Sequence, residues 1–442
     1  MEPANSRPAA GADDPQRPIR RLRWWIGGLL FASTVINYID RQTISVLAPF
    51  LKTEYRWSNT DFATVLIAFR LAYTIMQGVG GRLIDWLGTR RGLSLTVAFY
   101  SVVACLTSLA RGLAGFRIFR FLLGAGEGPN WPGATKAVSE WFPDKERAWA
   151  VALFDSGSSI GGAIAPFMVL FLYRAFGSWR PVFLITGALG FLWLAAWRRL
   201  YHAPEAHPRI APEELAHIRE GRGTPEAPPA TDARGLWKKL IRYRQTWGII
   251  IGRTLLDPYW FLIADWFALY LVSKGFQIEA SIIGFWAPFM AADLGNFFGG
   301  GLSSYWISRG WPVGRARRMV LLICGPSMMI LIPAAFLTDY TAVILLFSLA
   351  TFAYAACSTI FLSFPADVFH NRAVASVSGM SGTGAGIGTL LSTYLIGRVT
   401  DRYSFQPVIL VASMVPLLAT LVLVTMVRAR KKPDPAGLVL PF

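Results

Sequence analysis

Apolar runs of roughly 20 residues, the length an α-helix needs to cross a hydrocarbon layer, recur along this chain between short breaks of charge, proline and glycine. They predict about twelve transmembrane helices, at 24–49, 60–82, 92–111, 114–141, 148–174, 179–200, 246–273, 281–308, 317–337, 341–366, 374–398 and 405–428. The longest polar interruption, 201–245, divides these runs six and six and carries Pro204, Pro208, Pro212, Pro225, Pro228 and Pro229. Inside it, Pro212 to Arg222 reads either as a short amphipathic helix at the membrane surface or as unstructured linker. The expected organisation is a cytoplasmic tail (1–22), a six-helix bundle (23–200), a cytoplasmic linker (201–245), a second six-helix bundle (246–428) and a cytoplasmic tail (429–442). The stretch from Met1 to Pro18 lacks the short apolar core of a secretory signal and predicts a disordered tail.

Composition agrees with lipid as part of the solvent: 54% of residues are hydrophobic and only 16% charged, a surface a water-soluble domain could not present without large apolar patches. A net charge of +17 would suggest nucleic acid in a soluble protein. Here most Lys and Arg fall on segments that the span pattern puts on one side of the membrane, which is the positive-inside distribution. Basic groups such as Arg315, Arg317 and Arg318 are then expected to meet anionic headgroups, and no nucleic-acid partner is needed. Cys105, Cys324 and Cys357 are scattered in apolar spans, and the histidines His202, His207, His217 and His370 have no ligand spacing, so neither a metal nor a cofactor is expected.

The two sets of spans repeat one another. Gly80-Gly81-Arg82-Leu83-Ile84-Asp85-Trp86 after the second span is echoed by Gly300-Gly301-Leu302-Ser303-Ser304-Tyr305-Trp306 after the eighth, with tyrosine where the first copy has Asp85. Arg147-Ala148 with Gly157 and Gly161 is echoed by Arg372-Ala373 with Gly382 and Gly386. Paired repeats of this kind mark transporter folds.

Gly81-x-x-x-Asp85-x-x-Gly88-x-Arg90-Arg91 resembles the signature loop of the major facilitator superfamily. Asn37-Tyr38-Ile39-Asp40-Arg41, Arg120-x-x-x-Gly124-x-x-Glu127-x-Pro129 and Trp141-Phe142-Pro143-x-x-Glu146-Arg147-Ala148 resemble its anion:cation symporter family. Asp257-Pro258-Tyr259-Trp260, Phe364-Pro365-Ala366-Asp367-Val368-Phe369 and Arg372-Ala373-Val374-Ala375-Ser376-Val377 are most similar to the hexuronate and sugar-acid branch. The resemblance implies an all-α fold of two pseudo-symmetric bundles with both termini cytoplasmic, a multi-pass protein of the bacterial inner membrane, acting as a monomer. It implies symport of a small organic anion with protons by alternating access. Phe361-Leu362-Ser363 lacks a tryptophan that galactonate carriers show nearby, so the sugar acid itself stays open.

Ionisable residues inside a membrane are expensive and therefore functional candidates. Asp40 and Arg41 adjoin on the first span, and Arg120 and Glu127 lie two helical turns apart on the fourth. Arginine forks bind carboxylates, and a desolvated carboxylate deprived of its arginine takes a proton, so substrate and proton can exchange partners here. The matching family positions make Asp40 and Glu127 proton-coupling residues and Arg41 and Arg120 anion anchors. The competing reading is that Asp40 and Arg41 neutralise each other or a neighbour to fix helix packing. Tyr38, Tyr73, Ser158 and Thr383 could offer hydroxyls to the substrate and Trp260 a stacking face. Arg70 is either a further anion anchor or a snorkelling side chain; Arg253 and Asp257 pair across one turn, beside a kink at Pro258; Asp265 and Asp293 are substrate contacts, protonation sites or local hydrogen-bonding groups. Asp85, Arg90, Arg91, Glu146 and Arg147 sit at the cytoplasmic ends and read as a gate. An exchanger or an aromatic-acid carrier competes with symport, whereas an integral-membrane enzyme or a channel lacks supporting motifs.

Overall fold

The computed structural model describes residues 18–57, 59–220, 233–276, 282–427 and 438–440; the N-terminal stretch before residue 18 and most of the C-terminal tail lie outside them. These residues are almost wholly helical. The only strand-like pairing among them is a bridge between Phe369 and Val439, flanked by His370 N donating to Leu438 O and Leu440 N donating to Val368 O.

Sixteen helical segments follow one another: α1 Leu22–Tyr55, α2 Asn59–Leu87, α3 Thr89–Leu106, α4 Gly112–Glu127, α5 Asn130–Trp141, α6 Asp144–Phe176, α7 Trp179–Leu200, α8 Pro212–Glu220, α9 Ala233–Leu240, α10 Arg244–Phe261, α11 Phe267–Ser273, α12 Ile282–Ser308, α13 Val313–Ser327, α14 Tyr340–Val368, α15 Asn371–Arg402 and α16 Phe405–Met426. Six of them, α3, α6, α7, α13 with its 3-10 extension to Ala335, α14 and α16, are long and apolar enough to cross a membrane by length and composition. Most of the remaining long segments are diluted by charge, glycine or breaks, and these carry the candidate site.

Two expected spans are interrupted. The run at 114–141 forms α4 and α5 with a break at Gly128-Pro129, because proline has no N–H to continue the ladder; Pro129 seats at the N-terminus of α5 against Gly80 of α2. Glu127 is thereby the last residue of α4. The seventh run bends after Pro258, where a π turn at Leu262–Trp266 joins α10 to α11. The side chain of Asp265, in that turn, lies outside the described residues.

Packing inside the first half, α1 on α6, α2 on α4 and α3 on α7, is repeated in the second by α10 on α15, α12 on α14 and the 3-10 extension of α13 on α16. Buried apolar side chains form one large cluster mostly in the second half and two mostly in the first. The halves meet along α2 with α15 and α6 with α12. Both seams are tight at the end of the bundle that carries the linker: a Cβ on Gly81 would stand 2.2 Å from Ala375 O, and one on Gly300 2.7 Å from Ala148 O. Cβ-less residues at these points permit backbone-to-backbone approach.

Candidate functional site

In the middle of the first half, α1 and α4 bring the four ionisable residues together. Arg41 Nε donates to Glu127 Oε2 at 2.6 Å. Arg120 Nη2 donates to the carbonyl of Arg41 at 2.8 Å, and Nη1 reaches that of Asp40 at 3.5 Å. Arg120 thus binds the α1 backbone, leaving both Asp40 oxygens, Glu127 Oε1, Arg41 Nη2 and Arg120 Nε buried and without a hydrogen-bond partner. Glu127 has no exposed surface and Arg120 is 2% exposed. Arg41 pairs with a neighbour, Glu127, and not with the adjacent Asp40.

The Arg41 guanidinium is walled by rings, 4.4 Å from the centroid of Tyr73, 5.0 Å from Tyr38, 5.3 Å from Phe69 and 5.6 Å from Trp131. Cation–π contacts stabilise a desolvated guanidinium without consuming its hydrogen-bond donors, so the cage holds the charge and leaves a donor available. Trp131 Nε1 donates to Asp155 Oδ1 at 3.3 Å and Ser158 Oγ to the carbonyl of Asp155 at 2.7 Å, so Ser158 sits beside Tyr38 on the wall of the same chamber.

Across the seam, Arg253 Nη2 donates to Asp257 Oδ2 at 2.6 Å, with Asp155 and Asp293 in electrostatic reach. Trp260 stacks on Tyr354 at 5.9 Å and meets Phe289 edge-on at 5.6 Å. Arg70 lies 5.5 Å from the ring of Phe261, a contact between halves. Thr383 is elsewhere: its hydroxyl donates to Thr74 O at 2.8 Å and accepts from Gly78 N at 3.1 Å, so it ties α15 to α2 and is committed on both sides.

At the linker end the expected gate is divided. Arg147 reaches Asp367 at 3.4 Å and the Ala366 carbonyl at 3.1 Å, and Asp85 accepts from Ser376 N at 2.6 Å; both cross between halves. Glu146 and Arg90 do not cross between halves: Glu146 pairs with Arg23 at 2.7 Å and with His217 of the linker at 2.9 Å, and Arg90 donates to the Arg198 carbonyl. Among the described residues, Arg91 makes no bond across the seam. Sequence reasoning missed the partners that complete this network. Lys136 pairs with Asp85 at 2.9 Å, and Arg317 joins Asp367 at 2.9 Å, Ser303 Oγ at 2.7 Å and the Asp144 carbonyl at 3.1 Å. Arg317 is fully buried, which corrects the expectation that it meets headgroups. The available signal was Asp367 itself, an acid inside an apolar motif with no assigned partner.

The linker forms a helix after all. Glu214 of α8 accepts from Leu22 N at 2.9 Å and Arg23 N at 3.1 Å, and pairs with the Arg23 side chain at 2.8 Å. A carboxylate at the orphan N–H groups of α1 is favoured by the helix dipole, so α8 docks on the start of α1.

A bundle of membrane-length helices, built twice over and enclosing a partly unpaired charge cluster, defines a multi-pass membrane carrier. A family model of the Major Facilitator Superfamily matches residues 30–393, and the chain belongs to that family of transporters; it is not an enzyme. It is 33% identical over 419 residues to the hexuronate transporter of Escherichia coli (strain K12), covering 93% of this chain and 95% of that one. It is 35% identical over 283 residues to the galacturonate transporter of Dickeya chrysanthemi, covering 64% and 81%. Its fold is similar to the crystal structure of the E. coli fucose:proton symporter, with a TM-score of 0.68 at 14% identity, covering 92% of this chain and all of that one.

Proposed function

We propose that this protein is a proton-coupled symporter that imports a sugar acid, of the hexuronate, aldonate or aldarate type, across a bacterial inner membrane, and that it works as a monomer of two rocking bundles. The observation that carries the reading is the Arg41–Glu127 pair, buried at 2.6 Å beside guanidinium donors and carboxylate oxygens that have no partner. Such a cluster does not tolerate one set of charges without the other. When a substrate carboxylate takes the forks of Arg41 and Arg120, Glu127 loses its counter-ion and binds a proton; when the proton leaves, Glu127 reclaims Arg41 and the anion is released. Tyr38, Tyr73 and Ser158 line the chamber as hydroxyl partners for a polyhydroxylated tail, and Trp260, on the facing half, offers it a ring face. Thr383 spends its donor on the Thr74 carbonyl and accepts from Gly78 N, which favours a role at the seam over one in substrate binding. The contacts of Asp85 and Arg147 at the linker end support a conformation closed on the cytoplasmic side, with alternating access requiring them to break.

Relatives that carry hexuronate and galacturonate support the choice of substrate class. The test is uptake into proteoliposomes of a panel of hexuronates, aldonates, aldarates and aromatic acids under an imposed pH gradient. Acid outside is expected to drive accumulation of at least one sugar acid, Glu127→Gln to bind it without accumulating it, and aromatic acids to compete weakly. Failure of the gradient to drive any of the panel sinks the symport reading.

A further inference from the structure

Arg90 and Arg91 read as gate residues in sequence, yet neither bonds across the seam among the described residues. They open α3, which packs along α7, and the last turn of α7 brings Arg198 beside them. The three residues line a cleft of about 520 Å³ between the two helices. Its geometry is held from both sides: Arg90 Nη2 donates to the Arg198 carbonyl at 2.5 Å, and Trp197 Nε1 donates to the Arg90 carbonyl at 3.2 Å. One and two turns further into α3, and one turn back along α7, the lining changes to Leu95, Ala98 and Leu194.

The charge in this cleft has no counter-charge. Among the described residues, none of Arg90, Arg91 and Arg198 pairs with a carboxylate. Glu140, the acid at this end of α5, is committed to Thr89 Oγ1 at 2.7 Å and to the Tyr201 hydroxyl. The first turn of α3 holds no acid, and its N-cap, Gly88, offers no side chain to the free N–H groups. Converging like charges repel, and a helix N-terminus favours an anion over the two arginines that stand there. Guanidinium forks bind phosphate oxygens two at a time. The surroundings then select among anions. Arg91 is followed on one face of α3 by the exposed side chains of Leu95, Phe99, Val102 and Leu106, and Arg198 is preceded at seven-residue steps on α7 by the exposed Phe191 and Leu184. Both helices are long and apolar enough to cross a membrane. The arginines thus cap two apolar stripes at the level of the headgroups, where basic pockets between helices hold lipid phosphate.

We propose that the α3–α7 cleft is a binding site for a negatively charged phospholipid, with its phosphate on Arg90, Arg91 and Arg198 and an acyl chain laid over Leu95, Ala98 and Leu194. The lipid neutralises the charge where α3 begins and α7 ends, and so stabilises the junction of the two helices. The site lies apart from the substrate chamber and does not depend on which anion is carried or on what drives it.

The test titrates the full-length protein in a neutral detergent with phosphatidylglycerol and, in separate arms, with phosphatidylcholine of the same chains and with glycerol 3-phosphate. Bound lipid is read by native mass spectrometry and stabilisation by the thermal unfolding temperature. Wild type is compared with Arg91→Gln combined with Arg198→Gln, and with Lys238→Gln combined with Lys239→Gln, which removes the same charge from exposed positions of α9. Wild type is expected to bind phosphatidylglycerol in preference to phosphatidylcholine and to unfold at a higher temperature with it, while glycerol 3-phosphate alone gives no such rise. The arginine variant is expected to bind phosphatidylglycerol roughly thirtyfold more weakly, the loss of two basic groups facing an anionic headgroup, and the lysine variant to keep wild-type affinity. Equal binding of the two lipids by wild type overturns the proposal without reference to any variant. A rise with glycerol 3-phosphate as large as with phosphatidylglycerol also overturns it, assigning the cleft to a soluble phosphate, as does an equal loss of binding in the arginine and lysine variants, which marks unspecific attraction.

Discussion

Two buried charge clusters in this molecule are built from the same residue types and differ in how completely they are satisfied. At the linker end, Arg317 spends its guanidinium on Asp367, Ser303 and the Asp144 carbonyl, and Asp85 is held by Lys136 and Ser376. In the middle of the first half, Arg41, Arg120, Asp40 and Glu127 share one side-chain ion pair and leave atoms of all four residues unpaired. A closed network holds two parts of a molecule together in one state. An open one keeps donors and acceptors to spare, which is what the proposed binding of anion and proton needs.

Removing one partner from the closed network is expected to have the largest effect. Arg317→Leu leaves the buried Asp367 carboxylate with only its 3.4 Å contact to Arg147 and should cost about 3–5 kcal/mol, read as a large drop in thermal unfolding temperature in detergent; an unchanged temperature would mean the linker-end cluster is not a latch. In the open cluster, Arg120→Ala should leave the fold standing but weaken sugar-acid binding by about 1.5–3 kcal/mol, the worth of a hydrogen bond to a charged group, as measured by titration calorimetry. Equal stability losses for the two arginine variants would erase the distinction between the regions. Gly81→Val, whose Cβ would collide with the Ala375 carbonyl, should disfavour the closed linker end by roughly 1–3 kcal/mol. Increased labelling of single cysteines introduced along α2 and α15 at that end would register the shift. The smallest effect is expected at α8: Glu214→Gln removes the charge from a buried pair with Arg23 but keeps an acceptor for the Leu22 and Arg23 N–H groups, and should leave transport intact while raising hydrogen exchange at the start of α1.

The candidate chamber was legible because charge inside an apolar run has few explanations. Asp40, Arg41, Arg120 and Glu127 stand out by that contrast alone, and helical spacing puts Arg120 and Glu127 on one face. Pairing was not legible. Adjacent Asp40 and Arg41 suggest a mutual ion pair, whereas the helix turns them apart and gives Arg41 to Glu127, 86 residues away. The gate shows the same limit: Asp85 and Arg147 follow from their motifs, but Lys136, Arg317 and Asp367 gain meaning only when α5, α13 and α14 converge on them. Thr383, a hydroxyl in a glycine-rich span, looks available in sequence and is consumed by Thr74 and Gly78 across the seam.

What the sequence determined by itself is the solvent, the all-helical architecture and the duplication, since apolar run length, the scarcity of charge and repeated motifs are local properties of the chain. The tertiary structure alone decided which charges meet, which remain unpaired and where the helices of the two halves come closest. Those depend on helix rotation and on backbone approach at single glycines, and a shift of one residue on a helix redirects a side chain by about 100°.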